Sequence, residues 1–168
     1  MDTSKSSIEC KGPKYIKALL DRSGSMITNG LSDALVEGIN TLILEQKNTS
    51  EMYGTNPTID IYSFDNEIEQ IRSTSIKTVE NITKEEVCPR GATALSDSIG
   101  KVLEDSCSHE NVLFFIFTDG AENASHKYKG EQGRNKIKDM IKEYSDKKNW
   151  TVIFGAANID AYQTSQTY

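Results

Sequence analysis

A chain of 168 residues with a hydrophobic fraction of 36% is long enough to bury a real core as one α/β domain. Its formal net charge of −6 argues against a partner with a phosphate backbone, so we expect no nucleic-acid binding. No apolar run approaches the roughly 18 residues of a membrane helix, and the polar N-terminus does not resemble a signal peptide. The three cysteines show neither a disulfide framework nor zinc-ligand pairing, so we expect a cytoplasmic protein without membrane contact.

The first part of the chain alternates between strand and helix patterns. The apolar run Tyr15 to Leu20 predicts a buried strand. Apolar residues at helical spacing then predict a helix from Ser32 to about Glu45, and the polar stretch Lys47 to Pro57 predicts a loop. Thr58 to Phe64 alternates as a second strand, and the turn pair Asp65-Asn66 predicts that this strand opens a hairpin.

The hairpin is followed by a less regular segment. Its returning strand is expected over Glu67 to Ile71. Arg72 to Cys88 then reads as a polar connector with a helical turn near Lys84 to Val87. An amphipathic helix is expected to begin just after Thr93, because apolar residues from Leu95 onward recur at helical spacing.

The last part of the chain repeats the strand–helix–strand pattern. Six consecutive apolar residues, Val112 to Phe117, are typical of a strand covered on both faces. A long polar loop, Ala121 to Gln132, precedes a helix with Ile137 and Tyr144 on its apolar face, and Trp150 to Phe154 is the last clear strand. The alternation predicts a three-layer α/β/α, Rossmann-like fold with a mostly parallel sheet, helices on both faces, one antiparallel edge hairpin and strand order 3-2-1-4-5.

Oxygen-bearing side chains lie where this fold gathers its loops. Asp21, Ser23 and Ser25 occupy alternate positions directly after the first strand, Thr93 precedes a helix, and Asp119 follows the fourth strand. Ligands of parallel sheets bind beyond the carboxyl ends of the strands, where Asp21 and Asp119 both fall. Carboxylate and hydroxyl oxygens suit Mg²⁺ or Mn²⁺, with Ca²⁺ as a further candidate, and they disfavour zinc.

The first segment also has two other interpretations, a calcium loop of another kind and a helix cap. A calcium loop of the EF-hand kind requires Gly at its sixth position and Glu at its twelfth, and this sequence has Met26 and Ser32 there. A plain helix N-cap cluster remains an alternative for Ser25 or Thr28.

The three segments together resemble the metal-ion-dependent adhesion site of the von Willebrand factor type A family, also called vWA. They follow the family's order and rough spacing: Asp21-Arg22-Ser23-Gly24-Ser25, then Thr93, then Asp119. Three further stretches look like those of small, stand-alone type A proteins of bacteria and their viruses: Leu35 to Asn40, Phe117 to Ser125 and Gly155 to Asp160.

The resemblance implies a role for each residue. Ser23 and Ser25 would ligate a cation directly, and Asp21 would act through water or as an acceptor outside the direct ligands. Thr93 and Asp119 would exchange between direct and water-mediated contact. The open position of the ion would take a Glu or Asp of a partner protein, so the implied function is cation-dependent protein binding, as an adhesion or adaptor module, and not catalysis.

The resemblance also divides the chain. Residues 1–13 are expected to form a polar N-terminal extension, residues 14–160 the type A domain, and residues 161–168 a tail or truncated end. The family usually adds a further strand and a closing helix after this point, and only residues 161–168 are left for them in this sequence. Asp97, one helical turn past Thr93, is expected either to brace a loop or to be an ordinary surface carboxylate.

A metal-dependent hydrolase or phosphotransferase using the same cation is the alternative function. A phosphotransferase of the haloacid dehalogenase type needs a second aspartate two residues after the first, where this chain has Ser23. The phosphate-loop pattern is absent, and Ser25 is not in a nucleophile elbow. Protein binding is therefore the favoured interpretation.

Overall fold

The computed structural model describes residues 12–119 and 122–156, in which five strands form one sheet. The elements, in chain order, are β1 Tyr15–Asp21, α1 Leu31–Tyr53, β2 Thr58–Phe64, β3 Ile68–Ser75, α2 Leu95–Asp105, β4 Val112–Thr118, α3 Gly130–Lys148 and β5 Trp150–Ala156. Short 3-10 segments cover Gly24–Gly30 and Glu85–Val87. None of the helices in these ranges is both long enough and apolar enough to cross a membrane.

The strand order is β3-β2-β1-β4-β5, which confirms the predicted order and the central position of β1. β1 runs parallel to β2 and β4, and β4 runs parallel to β5. β2 and β3 are antiparallel, as the hairpin prediction required. The register aligns Asp21 with Phe64 and Leu20 with Phe117, so β1, β2 and β4 end at the same edge of the sheet. The segments that follow Asp21 in β1 and Thr118 in β4 therefore leave the sheet at one edge.

Helices cover both faces of this sheet, as predicted. On one face, the core combines side chains of α1 with those of β1 and β2: Leu35, Ile39, Ile43, Ile16, Ala18, Leu20, Ile59 and Ile61. On the other face, it combines side chains of α2, α3 and β4: Leu95, Ile99, Val102, Ile137, Tyr144, Phe114 and Ile116. Each such side chain contributes about 1.5–3 kcal/mol when it is fully buried. The two clusters hold the edge from which the loops emerge.

The predicted loop Ala121 to Gln132 is too long, because α3 begins at Gly130. Two other predicted boundaries fall well short of the observed ends. The first helix continues to Tyr53, although a loop was expected from Lys47, because nothing in that polar stretch stops a helix until Gly54 adopts the left-handed conformation with φ 64°. The returning strand β3 extends to Ser75, past the expected end at Ile71. In both places polarity signalled solvent exposure and not the end of the element.

β4 is less covered than its apolar run predicted. Phe114 and Ile116 are fully buried against α2 and α3, but Leu113, Phe115 and Phe117 on the opposite face are only half-buried. On that face of the described chain, α1 packs mainly over β1 and β2. The predicted N-terminal extension falls mostly on residues 1–11. The tail, and the place where the family's further strand and helix would follow, fall on residues 157–168. Both segments lie outside the described residues.

Candidate metal centre

Asp21 ends β1 with its side chain buried at the edge of the sheet. Its Oδ1 atom accepts a hydrogen bond from the Ser23 backbone N–H at 2.8 Å, and its Oδ2 atom accepts one from the Thr118 hydroxyl at 2.7 Å. Burial raises the pKa of Asp21 above its ordinary value, and the negative charge of Asp119 adds to this effect, while the hydrogen bonds from Ser23 and Thr118 oppose it. Asp21 is thus firmly positioned in an environment that disfavours its negative charge.

Loop 1, residues 22–30, brings the two serine hydroxyls together. The Oγ atoms of Ser23 and Ser25 lie 3.0 Å apart, with Ser23 buried and Ser25 exposed. The loop is anchored by Met26, which is fully buried and donates its backbone N–H to the Ser23 carbonyl oxygen. The N-cap interpretation is wrong, because Gly30 precedes α1 and neither that helix nor the 3-10 segment has a side-chain cap.

Loop 2, residues 88–94, carries Thr93 to the same edge. The Gly24 N–H donates to the Gly91 carbonyl oxygen at 3.0 Å, which joins loops 1 and 2. Thr93 is 2% exposed, and its backbone N–H donates to the Asn123 side-chain oxygen at 2.9 Å. The carbonyl oxygen of Thr93 accepts the N–H groups of Asn123 and Ala124, both at 3.0 Å. Thr93 is therefore held by main-chain bonds from loop 3, residues 119–129.

Asp119 begins loop 3 directly after β4 and is 6% exposed. Its charge acts on Asp21, so two carboxylates share one buried edge. The structure thus brings the three loops bearing the predicted residues together, joined through Gly24 and Gly91, through Thr93 and Asn123, and through Asp21 and Thr118. Gly120 and Ala121, the next residues of loop 3, lie outside the described part.

The donor set fits a hard divalent cation. Within the described ranges, no group of three or more His, Cys, Asp or Glu side chains is arranged to hold a metal ion, so hydroxyl oxygens would have to complete a site at this edge. Two carboxylates with three hydroxyls, from Ser23, Ser25 and Thr93, supply oxygen ligands only, which is the chemistry of Mg²⁺ and not of zinc. A cation would also relieve the unfavourable environment of the Asp21 charge.

Comparison with known proteins gives a structural answer only. No family model and no curated protein sequence matches the chain. Among solved structures, the ArnB paralog VWA2 from Sulfolobus acidocaldarius matches 86% of the chain at 19% identity, with a TM-score of 0.56. A von Willebrand factor type A protein from Catenulispora acidiphila matches 93% at 13% identity, with a TM-score of 0.57. The pilus adhesin SpaC from Lactobacillus rhamnosus GG matches 95% at 11% identity, with a TM-score of 0.61.

The chain has the von Willebrand factor type A fold. The alignment covers only 34% of the ArnB paralog, 43% of the Catenulispora protein and 26% of SpaC, so this type A fold corresponds to part of each longer chain.

Several residues that support the candidate metal centre were not predicted from the sequence. Thr118 holds Asp21 in place, and its hydroxyl at the strand end was a usable signal. Asn123 and Glu122 gave no such signal, since both lie in a polar loop. The Glu122 carboxylate accepts the Ser96 N–H at 2.7 Å and the Ser125 hydroxyl at 2.8 Å, which ties loop 3 to the start of α2.

Asp97 braces a loop, which is one of the two roles expected for it from the sequence. Its carboxylate accepts the backbone N–H groups of His126, Lys127 and Tyr128 at 2.7, 3.2 and 2.7 Å. Burial raises the pKa of Asp97, but these N–H donors outweigh burial, so the pKa lies below its usual range. The far end of loop 3 is therefore fixed to α2.

Proposed function

We propose that this type A domain binds a protein partner through a divalent cation, Mg²⁺ by availability, held at the metal centre. The observation that carries the proposal is the buried Asp21 carboxylate under the influence of Asp119, beside the facing hydroxyls of Ser23 and Ser25. Two carboxylates on one buried edge attract a cation. Because most of the other ligands are neutral hydroxyls, much of the ion's charge is left to attract a further acidic group.

Each residue of the centre has a defined task in this proposal. Ser23 and Ser25 offer hydroxyl oxygens, and Asp21, whose two oxygens each accept a hydrogen bond already, is suited to orient a water ligand. Thr93 and Asp119 contribute oxygens from the other two loops. When bound, the cation supplies positive charge and an open coordination position, and a Glu or Asp side chain of the partner is the proposed occupant.

The neighbouring structures support protein binding in general. SpaC is a pilus adhesin, and Mfa5 from Porphyromonas gingivalis, another match, is a tip protein of type V pili. We propose the same broad kind of activity, attachment to another protein, for this chain. The proposal includes no covalent chemistry.

Calorimetry with Mg²⁺ and Mn²⁺ tests the metal centre. We expect binding by the wild type and no binding by Asp21→Ala. Asp33→Ala is the matched control, because Asp33 is an exposed aspartate at the start of α1 whose recorded ion pair is with the equally exposed Lys84. Binding in Asp21→Ala equal to that of the wild type would contradict the assignment.

Partner capture on an affinity column, with the captured protein identified, tests the mechanism. EDTA should release the partner, and Thr93→Ala should weaken capture by about tenfold or more while leaving the domain folded. Thr49→Ala, at a partly exposed threonine of α1 whose hydroxyl donates to the Glu45 carbonyl oxygen of the same helix, is the control. A complex fully resistant to EDTA would contradict the proposal, as would metal-dependent hydrolysis of a phosphate or peptide ester that Asp119→Ala removes.

A further inference from the structure

The turn between β2 and β3 contains an aspartate that contacts both loop 1 and loop 2. Asp65 is 3% exposed, and its Oδ2 atom accepts hydrogen bonds from Nε of Arg22 at 3.0 Å and from Nε of Arg90 at 2.6 Å. Its Oδ1 atom accepts the Glu67 N–H at 2.9 Å, which closes the turn. The two arginines are also joined directly, since the Arg90 N–H donates to the Arg22 carbonyl oxygen at 2.8 Å.

These arginines are next to the proposed ligands. Arg22 lies between Asp21 and Ser23 in loop 1, and Arg90 lies three residues before Thr93 in loop 2. One buried carboxylate thus links the two segments that carry all three of the proposed hydroxyl ligands. Charge-assisted hydrogen bonds of this kind are shorter and stronger than neutral ones, so they restrict the distance between the loops.

The same turn holds the residues on either side of Thr93. The Asp65 carbonyl oxygen accepts the Ala94 N–H at 2.8 Å, and the Asn66 side-chain oxygen accepts the Ala92 N–H at 2.8 Å. Gly91 permits this approach: its φ is +68°, and a Cβ atom there would lie 2.3 Å from the Asn66 oxygen. Thr93 is therefore bracketed by the turn, while its own peptide groups bond to loop 3.

We infer that the turn Asp65 to Glu67 is a fourth segment of the metal centre, and that Asp65 is a positioning residue that holds Ser23 and Thr93 toward one ion. The inference rests on the proposed function, since it concerns the same site. Asp65 is one residue beyond the end of β2, so a rigid strand carries its position into the loops. Removing its charge would leave the guanidinium groups of Arg22 and Arg90 without their shared negative partner and would weaken one of the links between loops 1 and 2.

A carboxylate within β2, five residues before Asp65, provides a matched control. Asp60 is also buried and also accepts a hydrogen bond from a basic side chain, Lys17 Nζ at 2.7 Å. Its other partners are Ser73 and Gln70 of β3, away from the three loops. Asp60→Asn therefore reproduces the loss of a buried charged partner without touching the metal centre.

The experiment measures Mg²⁺ affinity by calorimetry and metal-free thermal stability for the wild type, Asp65→Asn and Asp60→Asn. We expect both variants to lower the melting temperature, but only Asp65→Asn to weaken Mg²⁺ binding, by about 10–100-fold. An affinity of Asp65→Asn within about twofold of the wild type, or an equal loss in Asp60→Asn, would overturn the inference. Absence of Mg²⁺ binding in the wild type would instead overturn the proposed function itself.

A milder pair decides the question if either variant does not fold. Asn66→Ala removes only the acceptor for the Ala92 N–H, and Ser73→Ala removes only one hydrogen bond to Asp60. We expect Asn66→Ala to weaken Mg²⁺ binding by about fivefold, the equivalent of one net hydrogen bond, and Ser73→Ala to leave it unchanged. Equal affinities in this pair would count against the positioning role.

Discussion

Two buried aspartates on neighbouring strands, Asp60 and Asp21, differ in the charge of the groups that contact their carboxylates. Asp60, within β2, accepts a hydrogen bond from the ammonium of Lys17, which is 1% exposed, and its second oxygen accepts bonds from Ser73 and Gln70. Asp21, at the end of β1, accepts hydrogen bonds from two neutral donors of residues 12–119, the Ser23 N–H and the Thr118 hydroxyl, and lies under the influence of a second negative charge, Asp119. Asp60 is thus neutralised by a cation of the protein itself, whereas under the proposed function Asp21 is neutralised by the bound divalent cation.

The positive charge that compensates a buried carboxylate can come from the protein or from a bound ion, and the two cases differ in stability. An internal ion pair makes the folded state self-sufficient, but removing one member leaves a buried charge and is costly. A buried carboxylate without such a partner lowers the stability of the metal-free protein, and binding of a cation beside it stabilises the folded state.

The largest effect is expected from breaking the ion pair between Lys17 and Asp60. Lys17→Met should lower the free energy of unfolding by about 3–5 kcal/mol, because Asp60 remains buried without its cation. Lys147→Met is the control: its pair with Glu143 on α3 is exposed on both sides, so a change within about 0.5 kcal/mol is expected. Urea denaturation measures both, and similar losses in the two variants would show that Lys17 has no special structural role.

A smaller effect is expected at Asp21, the carboxylate proposed to lie beside the cation. Mg²⁺ at about 100 times its dissociation constant should stabilise the wild type and Lys17→Met alike, by about 2.7 kcal/mol. Asp21→Asn should gain nothing from Mg²⁺. Without metal, it should be at least as stable as the wild type, because the buried charge whose pKa is raised has been removed. Thermal unfolding with and without Mg²⁺ tests this, and a metal-free Asp21→Asn that is clearly less stable than the wild type would contradict it.

The smallest effect concerns Asp97, a partly exposed carboxylate held by backbone donors. Its pKa lies below the ordinary 3.8 in the folded protein. The stabilisation is therefore fully present above that ordinary value and is lost as the pH falls through the lowered folded value. Urea unfolding at neutral pH and at about pH 3 should show that Asp97→Asn is less sensitive to acid than the wild type. Asp139→Asn, on α3, is the control, and an acid sensitivity of Asp97→Asn equal to that of the wild type would argue against the brace.

Much of the fold was readable because its signals are local. The apolar runs of β1 and β4, the helical spacing after Thr93 and the turn pair at Asp65-Asn66 each depend on neighbouring residues, and the strand order followed from which strands were most apolar. The end of α1 at Gly54 was also a local signal, but the polar stretch before it was interpreted as a loop.

The five candidate ligands were also found from the sequence, since oxygen-bearing residues after predicted strands are a pattern that needs no three-dimensional information. What the sequence alone determined about this protein is thus its layered α/β architecture and the oxygen donors at one edge of the sheet. Only the tertiary structure decided which polar groups hold those donors in place. Asp65 meets Arg22 across 43 residues, and Thr118 meets Asp21 across 97. Such pairings depend on which loops the folded sheet brings together, and no periodicity within a single segment records them.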